Sequence, residues 1–140
     1  MQKHRAIRKM RVYLSIAVLT MLAGLSARFV PLGLPWVVMK YGGSTMWAVM
    51  IYWVLRLAWP RRSAVALALA AGTIATIVEF TRLYHCAWLD AFRASLAGAV
   101  LVGRYFSVRN IAAYWVAIAA GALLDAHVIR RAGNRALLES

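Results

Sequence analysis

Apolar positions along this chain come in long unbroken runs. The first, Val12 to Ala27, contains no charged residue. Sixteen helical residues span about 24 Å, short of a ~30 Å hydrocarbon core, but Phe29 and Val30 extend the run if Arg28 reaches back to the interface. A second helix is expected from Ser44 or Thr45, both good N-caps, to about Trp59. Pro60-Arg61-Arg62 stops it, and Ser63 caps a third from Ala64 to about Phe80. The fourth runs from about Val108 to Leu124. The pattern therefore predicts an all-α integral membrane bundle of about four transmembrane helices, over 12–30, 44–59, 64–80 and 108–124, in a single domain of residues 1–140.

The intervening stretches differ in kind. Residues 31–43 hold two prolines and three glycines and are expected to form a structured loop or interfacial crossing. From Thr81 to Arg109, polar residues (Arg82, His85, Asp90, Arg93) are interleaved with aromatics (Tyr84, Trp88, Phe92), followed by the short apolar run Ala94 to Val102. Nine residues cannot cross a bilayer as a helix, so 82–106 is expected to be an interfacial or re-entrant element. Residues 1–11 and 125–140 are expected to be tails.

Composition agrees with this pattern. Hydrophobic residues make up 64% of the chain and the mean hydropathy is +0.68, whereas soluble domains are roughly 45–50% apolar. The net charge of +13 invites a nucleic-acid reading. That reading fails on placement, because the basic residues flank apolar segments and form no stripe with exposed aromatics. The single cysteine, Cys86, excludes an internal disulfide and a multi-cysteine metal site. The first run also resembles a signal peptide, but Leu25 fits poorly at the small position before a cut after Ala27, which favours an uncut helix.

Charge sets an expected orientation. With the N-terminus in the cytoplasm, the inner side carries Lys3, Arg5, Arg8, Lys9, Arg11, Arg56, Arg61, Arg62, Arg130, Arg131 and Arg135. The outer side carries Arg28, Lys40, Arg82, Arg93, Arg104 and Arg109. This asymmetry obeys the positive-inside rule with both termini cytoplasmic, in a bacterial inner membrane. Small residues suggest how the helices pack: Ala64, Ala68, Gly72 and Thr76 on the third, and Ala113, Ala117 and Gly121 on the fourth, repeat every four residues. Such stripes let backbones approach closely, which points to a close antiparallel pair.

Ionisable residues at membrane depth are costly and are functional candidates for that reason. Glu79 lies about one turn from the outer end of the third helix, Arg82 follows three residues later, and His85, Asp90 and Arg93 sit in the non-spanning element, with Arg28 and Lys40 flanking the outer loop. As a ligand site, this cluster would bind an anionic group, since guanidinium suits phosphate and carboxylate. As a structural device, Glu79 and Asp90 would pair with arginines and lock the outer loop. Arg56 and Asp125 form a candidate structural pair at the inner edge. No nucleophile–base arrangement stands at diagnostic spacing. Glu79, His85 and Asp90 offer acid–base chemistry at most. With His4 and His127 on the opposite side from His85, no metal site and no cofactor are expected.

The block Tyr84-His85-Cys86-Ala87-Trp88-Leu89-Asp90-Ala91-Phe92-Arg93, preceded by Glu79 and followed by Gly103-x-x-Phe106, resembles the domain of unknown function 2809 family. Lys40-Tyr41-Gly42-Gly43-Ser44, Trp47 and Tyr114 are similar to it as well, so the resemblance covers roughly residues 28–125. It implies a small bacterial multi-pass membrane protein, distantly similar to the VanZ-like group, some members of which are associated with the cell envelope. It implies no activity. The chain departs from the pattern at four positions: Arg82 replaces a usual glutamine, Ser44 and Asn110 usual aspartates, and Ala117 a usual glycine.

The leading expectation is a cell-envelope membrane protein that binds an anionic lipid or lipid-linked intermediate at its outer boundary. The alternatives are a membrane-surface enzyme using Glu79, His85 and Asp90, and a small subunit packed against a larger membrane protein.

Overall fold

The computed structural model describes residues 2–29, 33, 35–102 and 105–138, with side chains described for 7, 10–26, 33, 35, 41–99, 101–102 and 105–127. Among the described residues six helices follow one another: α1 (Gln2–Phe29), α2 (Trp36–Ala58), α3 (Ala64–Thr81), α4 (Ala87–Ala94), α5 (Leu96–Leu101) and α6 (Val108–Leu138). The described residues contain no strand. Two helical segments, Ala64–Thr81 and Val108–His127, are long and apolar enough to cross a membrane, and Met10–Ser26 is a shorter apolar helix. Helix α2 has 23 residues but is less apolar, because Tyr41, the Gly42-Gly43-Ser44-Thr45 stretch and Arg56 lie within it.

Local chemistry explains most boundaries. The Ser63 hydroxyl accepts from the Ala66 N–H at 3.2 Å, capping α3. The Ser95 hydroxyl accepts from the Gly98 N–H at 3.1 Å, capping α5. The start of α2 differs from expectation. Pro35 stands at its N-cap and the helix begins at Trp36, so Gly42 and Gly43 lie inside it rather than in a loop. Thr45 is no cap either: its hydroxyl donates to the Tyr41 and Gly42 carbonyls, each at 3.0 Å, as threonine does within an apolar helix. The described residues of 82–106 contain no long helix, only α4 and α5 with a bend between them at Ser95. Gly98 permits that bend, since a Cβ there would overlap the Phe92 carbonyl. The helical backbones of α1 and α6 run on through the segments expected as tails, to Gln2 and Leu138.

Helix α2 packs against α1, α3 and α6, and α3 packs against α6. Tyr13 stacks on Trp53 with ring centroids 5.8 Å apart, while Gly24 approaches Met46 and Gly43, so α1 and α2 are antiparallel. The Trp115 Nε1–H donates to the Thr76 hydroxyl at 3.2 Å and Tyr114 reaches Glu79, so α3 and α6 are antiparallel too. The small-residue stripes work differently from expectation. The buried face of α3 is Leu67, Ala71, Ala75 and Glu79, with Gly72 beside it. Trp115 lies over Gly72, with ring atoms 2.5–2.6 Å from where a Cβ would stand. Gly121 faces Val49 and Tyr52 of α2, not α3. Of the expected stripe, Gly72 and Thr76 do meet α6, both through Trp115.

Candidate functional site

The polar residues fall into three groups, two at the end of the bundle bearing α4 and one at the other. Glu79, in the last turn of α3, is fully buried. Its Oε1 accepts from the Ser107 backbone N–H at 2.8 Å and from Asn110 Nδ2 at 3.1 Å. Its Oε2 accepts from the Tyr114 hydroxyl at 2.7 Å and pairs with Arg82 Nη1 at 2.6 Å. Arg82 also donates from Nε to the Val102 carbonyl at 2.6 Å and from Nη1 to the Tyr105 carbonyl at 3.2 Å. Both carboxylate oxygens are thus doubly satisfied, and the group fastens the end of α3 to the start of α6 and to the segment after α5. A buried ion pair needs such additional hydrogen bonds to offset its desolvation.

The second group centres on Arg93, only 4% exposed. Its Nη1 donates to the Tyr84 carbonyl at 2.8 Å and to Asp90 Oδ1 at 3.0 Å, and its Nη2 donates to the Thr81 carbonyl. Arg93 therefore staples α4 against the end of α3. Asp90 Oδ1 also lies 3.2 Å from His85 Nδ1, and these two are the exposed members, at 44% and 67%. The opposite face of α4 carries outward-facing Trp88 and Phe92, with Tyr84 and Tyr105 exposed nearby in sequence. The side chains of Arg28 and Lys40 lie outside the described residues.

At the other end, Arg56 and Asp125 are both buried and form an ion pair through Nη2 and Oδ2. The Tyr52 hydroxyl donates to the same Oδ2 at 2.5 Å. Arg56 Nη1 donates to the Arg62 carbonyl at 2.6 Å, which ties the α2–α3 turn to this group.

The expected single outer cluster therefore divides. Glu79 and Arg82 belong to one group, and His85, Asp90 and Arg93 to another. The guanidinium groups of Arg82 and Arg93 are engaged with carbonyls and carboxylates inside the protein. Sequence reasoning missed Ser107, Asn110, Tyr114 and Tyr52 as partners. A signal for two of these was present: Asn110, Tyr114, Ile118 and Asp125 recur at helical spacing on one face of α6, and all are buried. Chemically, Glu79 has no open lone pair for a ligand. Among the described residues, His85 and Asp90 present an exposed ionisable pair at that end. Among the described residues, no three His, Cys, Asp or Glu side chains gather where they could hold a metal ion.

The family model for proteins of unknown function designated DUF2809 matches residues 33–118, more than half of the chain. The chain belongs to that family. The Glu79 to Phe106 block lies entirely within the match. No solved structure matches the chain.

Proposed function

We propose that this member of the DUF2809 family is a four-span protein of the bacterial inner membrane, with α1, α2, α3 and α6 crossing the bilayer and both termini cytoplasmic. Only 28% of the apolar window of α3 or α6 is buried inside the bundle, which suits helices bathed in lipid and would be unusual for the core helix of a soluble domain. Val65, Leu69, Ile77, Val116 and Leu123 are among the exposed apolar side chains. The basic asymmetry supplies the orientation.

Within that frame, the end bearing α4 binds an anionic lipid or lipid-linked envelope intermediate. One observation carries this reading: α4 is pinned by buried Arg93 while Trp88, 71% exposed, and Phe92 face outward. Aromatic side chains held rigidly at that level suit the headgroup region of a bilayer. The binding groups are then the exposed ones, His85 and Arg109 with the aromatics, rather than Arg82 and Arg93. Purified protein in phosphatidylcholine nanodiscs doped with phosphatidylglycerol tests this. Trp88→Ala with Arg109→Gln should weaken retention of the anionic lipid several-fold and leave unfolding unchanged. Unaltered retention would refute it.

A second reading rests on the 3.2 Å contact between His85 and Asp90. A carboxylate that orients one imidazole nitrogen leaves the other facing outward as a base. This enzyme reading predicts that His85→Gln abolishes turnover of a lipid-linked substrate while leaving its binding intact.

A further inference from the structure

Helices α1 and α2 do not close against each other along their whole length. Between them lies a partly open cavity of about 200 Å³, bordered by Met21, Gly24, Gly43, Trp47 and Met50 and by Leu101 of α5. Gly24 and Gly43 line it without side chains, at a point where the two helices come close: a Cβ on Gly24 would stand 3.1 Å from Met46 Cβ and 3.6 Å from the Gly43 carbonyl. The one hydroxyl in its lining has its proton engaged, since Thr20 donates back to the Ile16 and Ala17 carbonyls, each at 2.9 Å, and the rest of the lining is apolar apart from the Trp47 indole N–H. The cavity is therefore a place for hydrocarbon. Unbranched methionines on both walls let it adapt to a chain threading through.

We infer that this cleft holds part of one acyl chain of an anionic glycerophospholipid, whose headgroup lies at the end bearing α4. This rests on the membrane reading above and names where the lipid is held. An apolar cavity of ~150 Å³ takes a molecule the size of benzene, so the cleft accommodates about eight chain carbons. The charge argument comes from register. Arg28 follows Gly24 by four residues on α1, and Lys40 precedes Gly43 by three on α2, so each backbone carries a basic position one turn beyond the glycine at the same end of the cleft. Two basic positions at headgroup level favour an anionic headgroup by about fivefold each. A linear acyl chain also suits a slot between close-packed helices better than a polyprenyl chain with its branching methyls.

The test uses the full chain in detergent micelles, with native mass spectrometry reading retained lipid from three probes: phosphatidylglycerol, phosphatidylcholine and polyprenyl phosphate. Thr20→Phe fills the cleft, and Met50→Trp fills it from the other wall should the first variant fail to fold. The expected result is at least a tenfold loss of retained phosphatidylglycerol in the filled variant. Arg28→Gln with Lys40→Gln should reduce the preference for phosphatidylglycerol over phosphatidylcholine by about 25-fold. Equal retention in a folded, filled variant would overturn the cleft, and so would stronger retention of polyprenyl phosphate. If filling the cleft changes nothing but Trp88→Ala with Arg109→Gln lowers retention, the α4 reading stands and this one falls. If no anionic lipid is retained by any form, both fall.

Discussion

Glu79 is the residue whose replacement tests most directly whether the bundle is held as described. Consider Glu79→Gln, which keeps shape and removes charge. The carboxylate accepts from four donors, two on each oxygen. A glutamine must turn its NH2 toward one of these pairs. Facing Tyr114 and Arg82, the amide meets a hydroxyl that can rotate to accept and a guanidinium that cannot. Facing Ser107 and Asn110, it meets an amide that can flip and a backbone N–H that cannot. Its cheaper orientation therefore strands the Ser107 N–H, at ~1–3 kcal/mol, and reduces the Arg82 contact to an uncharged acceptor, at ~1 kcal/mol. The expected loss is about 2–4 kcal/mol. Arg82 retains the Val102 and Tyr105 carbonyls, so the chain should still fold. Tyr114→Phe deletes one bond to the charged group and should cost about 1.5–3 kcal/mol. Reversible unfolding in mixed micelles, followed by tryptophan fluorescence, measures both. If each variant lies within ~0.5 kcal/mol of the parent, the range of an ordinary surface change, Glu79 is not a structural anchor.

At the opposite end, Asp125→Leu alone should cost about 3–5 kcal/mol by stranding Arg56, and Arg56→Leu with Asp125→Leu should recover most of it in the same unfolding assay. A double variant no better than the single would show that the pair itself holds the helices. Gly98→Ala would drive a Cβ into the Phe92 carbonyl, so it should undo the α4–α5 bend and make the Ser95 region sensitive to protease; an unchanged digestion pattern would contradict the packing. Reporter fusions at residues 62 and 140 should report cytoplasm and a fusion near residue 90 the outer side. A cytoplasmic signal at residue 90 would sink the orientation.

Much of the helical framework was legible because its causes are local. The Ser63 cap, the Pro60 stop and the failure of Ala94–Val102 to form a long helix follow from propensity and length. The start of α2 was not legible for the same reason: Gly42 and Gly43 are turn residues by propensity, and only the close approach of α1 at Gly24 explains why they serve within a helix. Likewise the charged residues were identifiable one by one, but their partners were not. Tyr114 is 35 residues from Glu79 and Tyr52 is 73 from Asp125, and nothing in an apolar span announces which tyrosine will turn inward.

Two of the departures from the family pattern meet at one carboxylate. Arg82, where the resemblance implies a glutamine, pairs with Glu79 Oε2. Asn110, where it implies an aspartate, donates to Oε1. With glutamine and aspartate in these places, Glu79 would share its buried pocket with a second acid and no cation within it. Two close, desolvated carboxylates repel unless a cation or a proton is shared between them. Relative to that implied pair, Arg82 and Asn110 both act in one direction, toward a pocket neutral in itself. The exchange of Arg82 matters doubly, because its remaining donors also bind the Val102 and Tyr105 carbonyls and so hold the segment between α5 and α6 over the site. In this chain Glu79 sits in a closed joint, so the lipid recognition proposed for that end would rest on the exposed groups of α4 and on the cleft beside it.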